Sequence, residues 1–159
     1  MRRLVWFVLV LALVAAAFVA GTKLATREAV FAASADGTKV AWAEDRRCWS
    51  GPCQALRVGP GRSTATTVAT LEGSGRCDEI VWTKDGSRVA FLIDGAQLHL
   101  YDPSSMAPAG QITLLQPQAG PSQSVVRGVT FSDNGRAITY DECPRGRAGC
   151  RAGIAAVPK

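Results

Sequence analysis

The sequence predicts an all-β chain. It should hold three consecutive antiparallel sheets of four, four and three strands behind one apolar N-terminal helix. Three observations carry this reading. A turn-and-strand unit recurs as SADGTKVAW at 34–42, TKDGSRVAF at 83–91 and SDNGRAITY at 132–140, with starts 49 residues apart. The residues after each turn alternate with period two and are rich in β-branched and aromatic types, the signature of strands. No segment after residue 30 carries a helical apolar period.

The strands follow in order within each copy. Short β-rich stretches precede the turns: FAA at 31–33, IVW at 80–82 and VTF at 129–131. Asp36-Gly37, Asp85-Gly86 and Asn134-Gly135 are expected to form tight hairpin turns, because both residue types tolerate positive φ. The second strands carry Val40 and Trp42, then Val89, Phe91 and Ile93, then Ile138 and Tyr140. Small or apolar residues between them, Ala41, Ala90 and Leu92 among others, suggest strands covered on both faces. Third strands follow at 55–59, 97–101 and 153–157, and fourth strands at 66–71 and 111–115; the third copy has no fourth. A repeat of about 40–50 residues with four strands is a propeller blade.

The middle copy also carries a family resemblance. VWTKDGSRVAFLIDGAQLHLYD, residues 81–102, resembles the TolB-like (WD-like) β-propeller repeat, whose consensus runs roughly W-S-P-D-G-x-x-I-A-F and continues through a hairpin into an L-y-v-d strand. Trp82, Asp85, Gly86, Val89, Ala90 and Phe91 match. The consensus proline is replaced by Ala35, Lys84 and Asp133. The resemblance implies a three-repeat, incomplete propeller over 30–159, with protein partners in the cell envelope. It is nearly silent on chemistry, because such propellers host many activities. A meandering β-sandwich is the competing architecture.

The N-terminus sets the compartment. Arg2 and Arg3 precede an uninterrupted apolar stretch from Leu4 to Gly21, and residues 22–29 read as a short linker. The stretch is longer than the usual signal-peptide core of about 7–15 residues and near the lower limit of about 17 for a spanning helix. Both a signal anchor and a cleaved signal peptide fit residues 1–21. Either reading places the remainder on the periplasmic or extracellular side, with an anchor tethering it to the cytoplasmic membrane. The net charge of +5 includes those two arginines, and the other basic residues are scattered, which argues against nucleic acid as a partner.

All five cysteines lie in the exported part, where an oxidising compartment lets them pair. Cys48 and Cys53 bracket CWSGPC; Cys143 and Cys150 bracket CPRGRAGC. Both pairs occupy the loop between second and third strands, which in the second copy shrinks to DGA at 94–96. Two disulfides are expected, with Cys77 left unpaired. The spacing does not suit a zinc site, and no cofactor is implied.

No nucleophile motif accompanies the single histidine, His99, so no enzyme activity is expected. Glu44-Asp45, Asp78-Glu79 and Asp141-Glu142 are adjacent carboxylates, which on a strand point to opposite faces. The loops offer more. Arg46, Arg47 and Trp49 in the first stapled loop, and Arg145 and Arg147 in the third, are residue types that anchor interfaces. Ordinary solvated hairpin tips are the alternative. The expected function is therefore a non-enzymatic, exported, membrane-tethered protein-binding or scaffolding module. A ligand- or carbohydrate-binding sensor using the stapled face is the second reading. Because propellers close with about 4–8 blades, a homodimer completing a six-bladed ring is a further expectation.

Overall fold

The computed structural model of the chain describes residues 27–116, 124–145 and 149–158. The apolar stretch 4–21, linker residues 22–26 and Arg147 lie outside the described residues. Among the described residues no helix is long and apolar enough to cross a membrane.

Three antiparallel meanders follow one another along the chain. The first pairs β1 (Arg27–Ala33), β2 (Val40–Cys48), β3 (Gly51–Gly59) and β4 (Thr66–Glu72) in that order. The second pairs β5 (Cys77–Trp82), β6 (Val89–Ile93), β7 (Gln97–Asp102) and β8 (Ala107–Thr113). The third has β9 (Ser124–Phe131), β10 (Ala137–Pro144) and β11 (Arg151–Ala156). A single 3-10 turn, Arg62–Thr64, is the only helical element among the described residues. The 4+4+3 reading holds, as three sheets and not the two of a sandwich.

Two boundaries differ from expectation. Residues 27–29, assigned to the linker, already belong to β1, where Arg27 and Glu28 pair with Asp45 and Glu44. The eighth strand runs at 107–113, earlier than the apolar run 111–115 suggested. Asp102 accepts the N–H of Ser104 and Met106 adopts φ 57°, so the chain reverses sooner; Leu114 and Leu115 then donate their N–H groups to Ala96 O.

The recurring turn is the same in all three copies, but it is not a two-residue hairpin. Ser34, Thr83 and Ser132 each donate the backbone N–H to the carbonyl five residues on, at Lys39, Arg88 and Ala137. Their hydroxyl oxygens accept the N–H of those same residues at 3.0, 2.9 and 3.0 Å. Only the glycines take positive φ, at 69°, 65° and 65° for Gly37, Gly86 and Gly135. The Asp or Asn before each glycine instead accepts the N–H two residues ahead, an Asx turn at 3.0–3.1 Å. The glycine has a second reason to be there. A Cβ on Gly86 would lie 3.6 Å from Ser34 Cβ, and one on Gly135 would lie 3.3 Å from Thr83 Cγ2, so successive turns pack against each other.

These turns carry a pH signature. Asp36 is held down at about 2, chiefly by the Ser34 hydroxyl. Asp85 is also held at about 2, chiefly by the Ser87 N–H. A folded-state pKa below the unfolded value of about 3.9 gives a contribution complete above that value and lost as pH falls through about 2. The third turn uses Asn134, which does not titrate in this range. Amide resonances of Thr38 and Ser87 are therefore expected to move between about pH 4 and pH 2 while Arg136 stays put. Equal movement of all three would remove the carboxylates as the cause.

The second sheet is the core. All five residues of β6 are buried. Val89, Phe91 and Ile93 pack with Ala41, Ala43, Leu56 and Val58 of the first sheet. Ala90 and Leu92 pack on the other side with Val126, Val129, Phe131 and Ile138 of the third. Expected two-sided burial is thus realised in full by β6 of the middle sheet. In β2 the face toward the second sheet carries Ala41 and Ala43, while Trp42 points the other way with the Arg57 guanidinium 5.5 Å above its ring.

Candidate functional site

Antiparallel topology sorts the connections into two ends. The β2–β3, β6–β7 and β10–β11 connections share one end with the β4–β5 and β8–β9 links; the Asp/Asn-Gly turns lie at the other. Both expected disulfides are present at the first end, Cys48–Cys53 and Cys143–Cys150. The first hairpin is tighter than a loop stapled at its base. β2 and β3 stay paired as far as Cys48 and Gly51, leaving only Trp49 and Ser50 at the tip. Gly51 permits this with φ 122°, and Trp49 is fully exposed. In the second sheet the connection needs no brace. Asp94 and Gly95 both take positive φ, 52° and 59°, and Ala96 N–H donates to Ile93 O, a short turn whose twist suits the flanking strands.

Cys77 is unpaired and buried, with only 3% of its surface exposed. Its N–H donates to Gln54 Oε1 at 2.6 Å, while Gln54 Nε2 donates to Asp45 Oδ1 at 2.8 Å, so a buried glutamine ties the first two sheets together. Burial, with help from Asp78, pushes the Cys77 thiol up to about 12. Cys77 is therefore a core residue. Iodoacetamide at about pH 8 is expected to leave it unmodified in the folded chain and to alkylate it after unfolding. Rapid labelling of the native protein would contradict this placement.

Among the described residues two clefts open at the braced end, and each is bordered by a disulfide cysteine. A cleft of about 460 Å³ between the first two sheets is lined by Asp45, Arg46, Cys53, Gln54 and Arg76, among others. A larger one of about 980 Å³ lies between the second and third sheets, under the Cys143–Cys150 bridge. It brings Asp78, Glu79 and Asp94 opposite Arg127 and Arg145. Alternation alone would have sent Asp78 and Glu79 to opposite faces. A β-bulge between Cys77 and Glu79 breaks the alternation and turns both toward the cleft. Glu79 Oε2 also accepts the Val129 N–H at 3.3 Å, tethering the third sheet to the second.

The arginines singled out in the sequence are not gathered into one pocket. Arg46 lines the smaller cleft and is held by Glu44 at 2.8 Å. Arg47 is exposed on β2, and Arg145 lines the larger cleft. Arg127, Asp78 and Asp94 were not foreseen as site residues. The small, positive-φ-tolerant DGA at 94–96 was the available signal that this tip leaves room for a cleft. His99 sits half-buried between Phe91 and Gln111 in the strand ladder, and burial lowers its pKa. Among the described residues no group of three His, Cys, Asp or Glu side chains is placed to hold a metal. At the opposite end, a groove of about 800 Å³ runs between the second and third turns, past Lys84, Arg88 and Arg136.

No family model matches the chain, and no curated protein sequence matches it. Solved structures do. One from a structural and mechanistic analysis of two prolyl endopeptidases aligns with TM-score 0.50 and 16% identity, over 80% of this chain and 22% of that one. A chain of the mitotic checkpoint complex aligns with TM-score 0.47 and 14% identity, over 71% of this chain and 44% of that one. An acylaminoacyl peptidase of Pyrococcus horikoshii gives TM-score 0.43 and 12% identity, over 66% and 15%. The chain thus spans less than half the length of each. At these identities the likeness concerns the fold alone, and that fold is propeller-like, built here as three antiparallel blades.

Proposed function

We propose that this chain is a non-enzymatic, exported protein-binding or scaffolding module of the cell envelope, tethered to the membrane by residues 4–21, with blades of the TolB-like type. The observation that carries the reading is Trp49: a large aromatic, fully exposed, at a two-residue tip locked by a disulfide. An exposed tryptophan that loses little conformational freedom on binding is a favoured interface anchor. Arg46, Arg47, Arg145 and Arg147 are assigned to the same docking end. Two disulfides fit an oxidising compartment and so support export. The match of residues 81–102 to the TolB-like repeat supports the blade type, since those residues include β6 and β7 of the central blade. The wide polar cleft between Asp78, Asp94, Arg127 and Arg145 favours a second reading, a polar ligand or carbohydrate held under the second disulfide.

The test is capture from envelope extracts by the full chain. Trp49→Ala and Arg145→Ala are expected to weaken capture of any specific partner about tenfold or more, as for interface anchors. Arg136→Ala, at the far end, is the control. Equal capture by all variants would overturn the docking role, and release by added glycans would favour the second reading.

A further inference from the structure

The two disulfides take the same place in their blades, but the fold holds them differently. Cys53 is 6% exposed on β3, where it pairs with Arg46 of β2 on one side and Glu72 of β4 on the other. β2 and β3 stay in register past Cys53, as far as Cys48 and Gly51. The first tip is therefore held by its strand ladder as well as by its bridge, and one end of that bridge is a buried residue.

The second bridge lacks both protections. Cys150 is exposed and lies in no strand, and Cys143 is half-buried. β10 and β11 stop pairing at Glu142 and Arg151, so among the described residues the bridge is the last link between these two strands at the braced end. None of the residues of β11 is buried, and neither are residues 143–145, 149 and 150. Those same residues form part of the third-blade wall of the larger cleft, where Arg145 stands opposite Asp78 and Asp94. A segment with so few buried contacts opens locally at little cost once its covalent link is gone.

We propose that Cys143–Cys150 is a redox-sensitive switch, opened by a dithiol reductant while Cys48–Cys53 stays closed, and that its opening frees the Arg145 wall of the larger cleft. Thiol–disulfide exchange depends on access to the attacked sulfur. One thiolate of the reductant attacks Cys150 Sγ. A new S–S bond forms as the old one breaks, and Cys143 Sγ leaves with the electron pair and takes up a proton. The second thiolate of the reductant then attacks the reductant sulfur of the mixed disulfide and releases Cys150 as a thiol. The dithiol is oxidised to a disulfide, and the protein bridge is reduced to two thiols. Cys77 takes no part, because it is buried. A closed bridge presents Arg145 at the docking end, and an open one disperses it. This control of docking rests on the role proposed above for Arg145, whereas the order of opening does not.

The test uses the full chain in detergent, with dithiothreitol as the dithiol. Samples are quenched with excess iodoacetamide over time, and the labelled cysteines are mapped by mass spectrometry. Cys143 and Cys150 are expected to be labelled at least about tenfold faster than Cys48 and Cys53. Equal rates, or Cys48 and Cys53 first, would overturn the switch. Hydrogen exchange of a Cys143→Ser/Cys150→Ser chain is the second measurement. The amides of residues 145 and 149–151 are expected to exchange at least about tenfold faster than in the parent chain, with β6 unchanged. Unchanged exchange there would show that the bridge does not hold the cleft wall, and would overturn the switch even if this bridge is reduced first. If both results are as expected but Arg145→Ala does not weaken capture, the docking role of Arg145 falls and the redox opening of the cleft wall stands.

Discussion

Replacing Phe91 with alanine is expected to lower the unfolding free energy by about 3–5 kcal/mol, the usual cost of truncating a fully buried phenylalanine. Phe91 is 0% exposed at the middle of β6, the one strand buried along its whole length. Its ring meets Tyr101 edge-on, with centroids 5.7 Å apart at 82°. It also packs against a first blade whose β2 contributes only alanines to the contact, so little there can expand to fill the space. The cavity should remain, and cavities add to the lost transfer energy. Urea unfolding followed by tryptophan fluorescence measures it. A loss below about 1 kcal/mol would mean that the first two blades do not pack as described.

Removing both disulfides, by Cys48→Ala/Cys53→Ala with Cys143→Ala/Cys150→Ala, is expected to cost about 2 kcal/mol per bridge in the chain-entropy model. The bridges close short loops, with sequence separations of 5 and 7. They sit in different blades with separate surroundings, so their effects should nearly add, to about 4 kcal/mol. For a domain of this size that is a fall in Tm of roughly 10 °C. Calorimetry of the parent chain with and without reductant gives the same comparison without mutation. An unchanged Tm would show that hairpin pairing alone holds both tips. Loss of the first bridge should also release Trp49, so partner capture is expected to fall in the same variant while the blades remain folded.

Much of this was written locally. The 49-residue spacing, the alternation of Val89, Phe91 and Ile93, and the position of each cysteine pair are local facts, and each reappears in the folded chain. The turn was legible as a turn but not in detail. Asp-Gly at 36–37 and 85–86 looks like a two-residue hairpin, yet the serine or threonine two residues earlier captures the chain, and only the glycine goes left-handed. The Asp-Gly that does take positive φ at both residues is the one at 94–95.

Other features could not be read from neighbours in sequence. A single bulged residue, Asp78, breaks the alternation and sets two adjacent carboxylates on the wall of the larger cleft, and nothing in CDEIV announces it. Trp42 and Phe91 occupy the same place in the repeat, as do Ile154 and Leu100, but Phe91 and Leu100 are buried between blades, whereas Trp42 is covered by the Arg57 guanidinium and Ile154 is 75% exposed. Backbone preference and side-chain alternation are set by a residue and its immediate neighbours, so sequence alone determined the strands, the turns and the disulfide pairs. Burial is set by which sheet lies across the face, and that sheet is made of residues some fifty positions away. Only the tertiary structure decided which apolar faces became core, which carboxylates met which arginines, and which large apolar side chains stayed exposed.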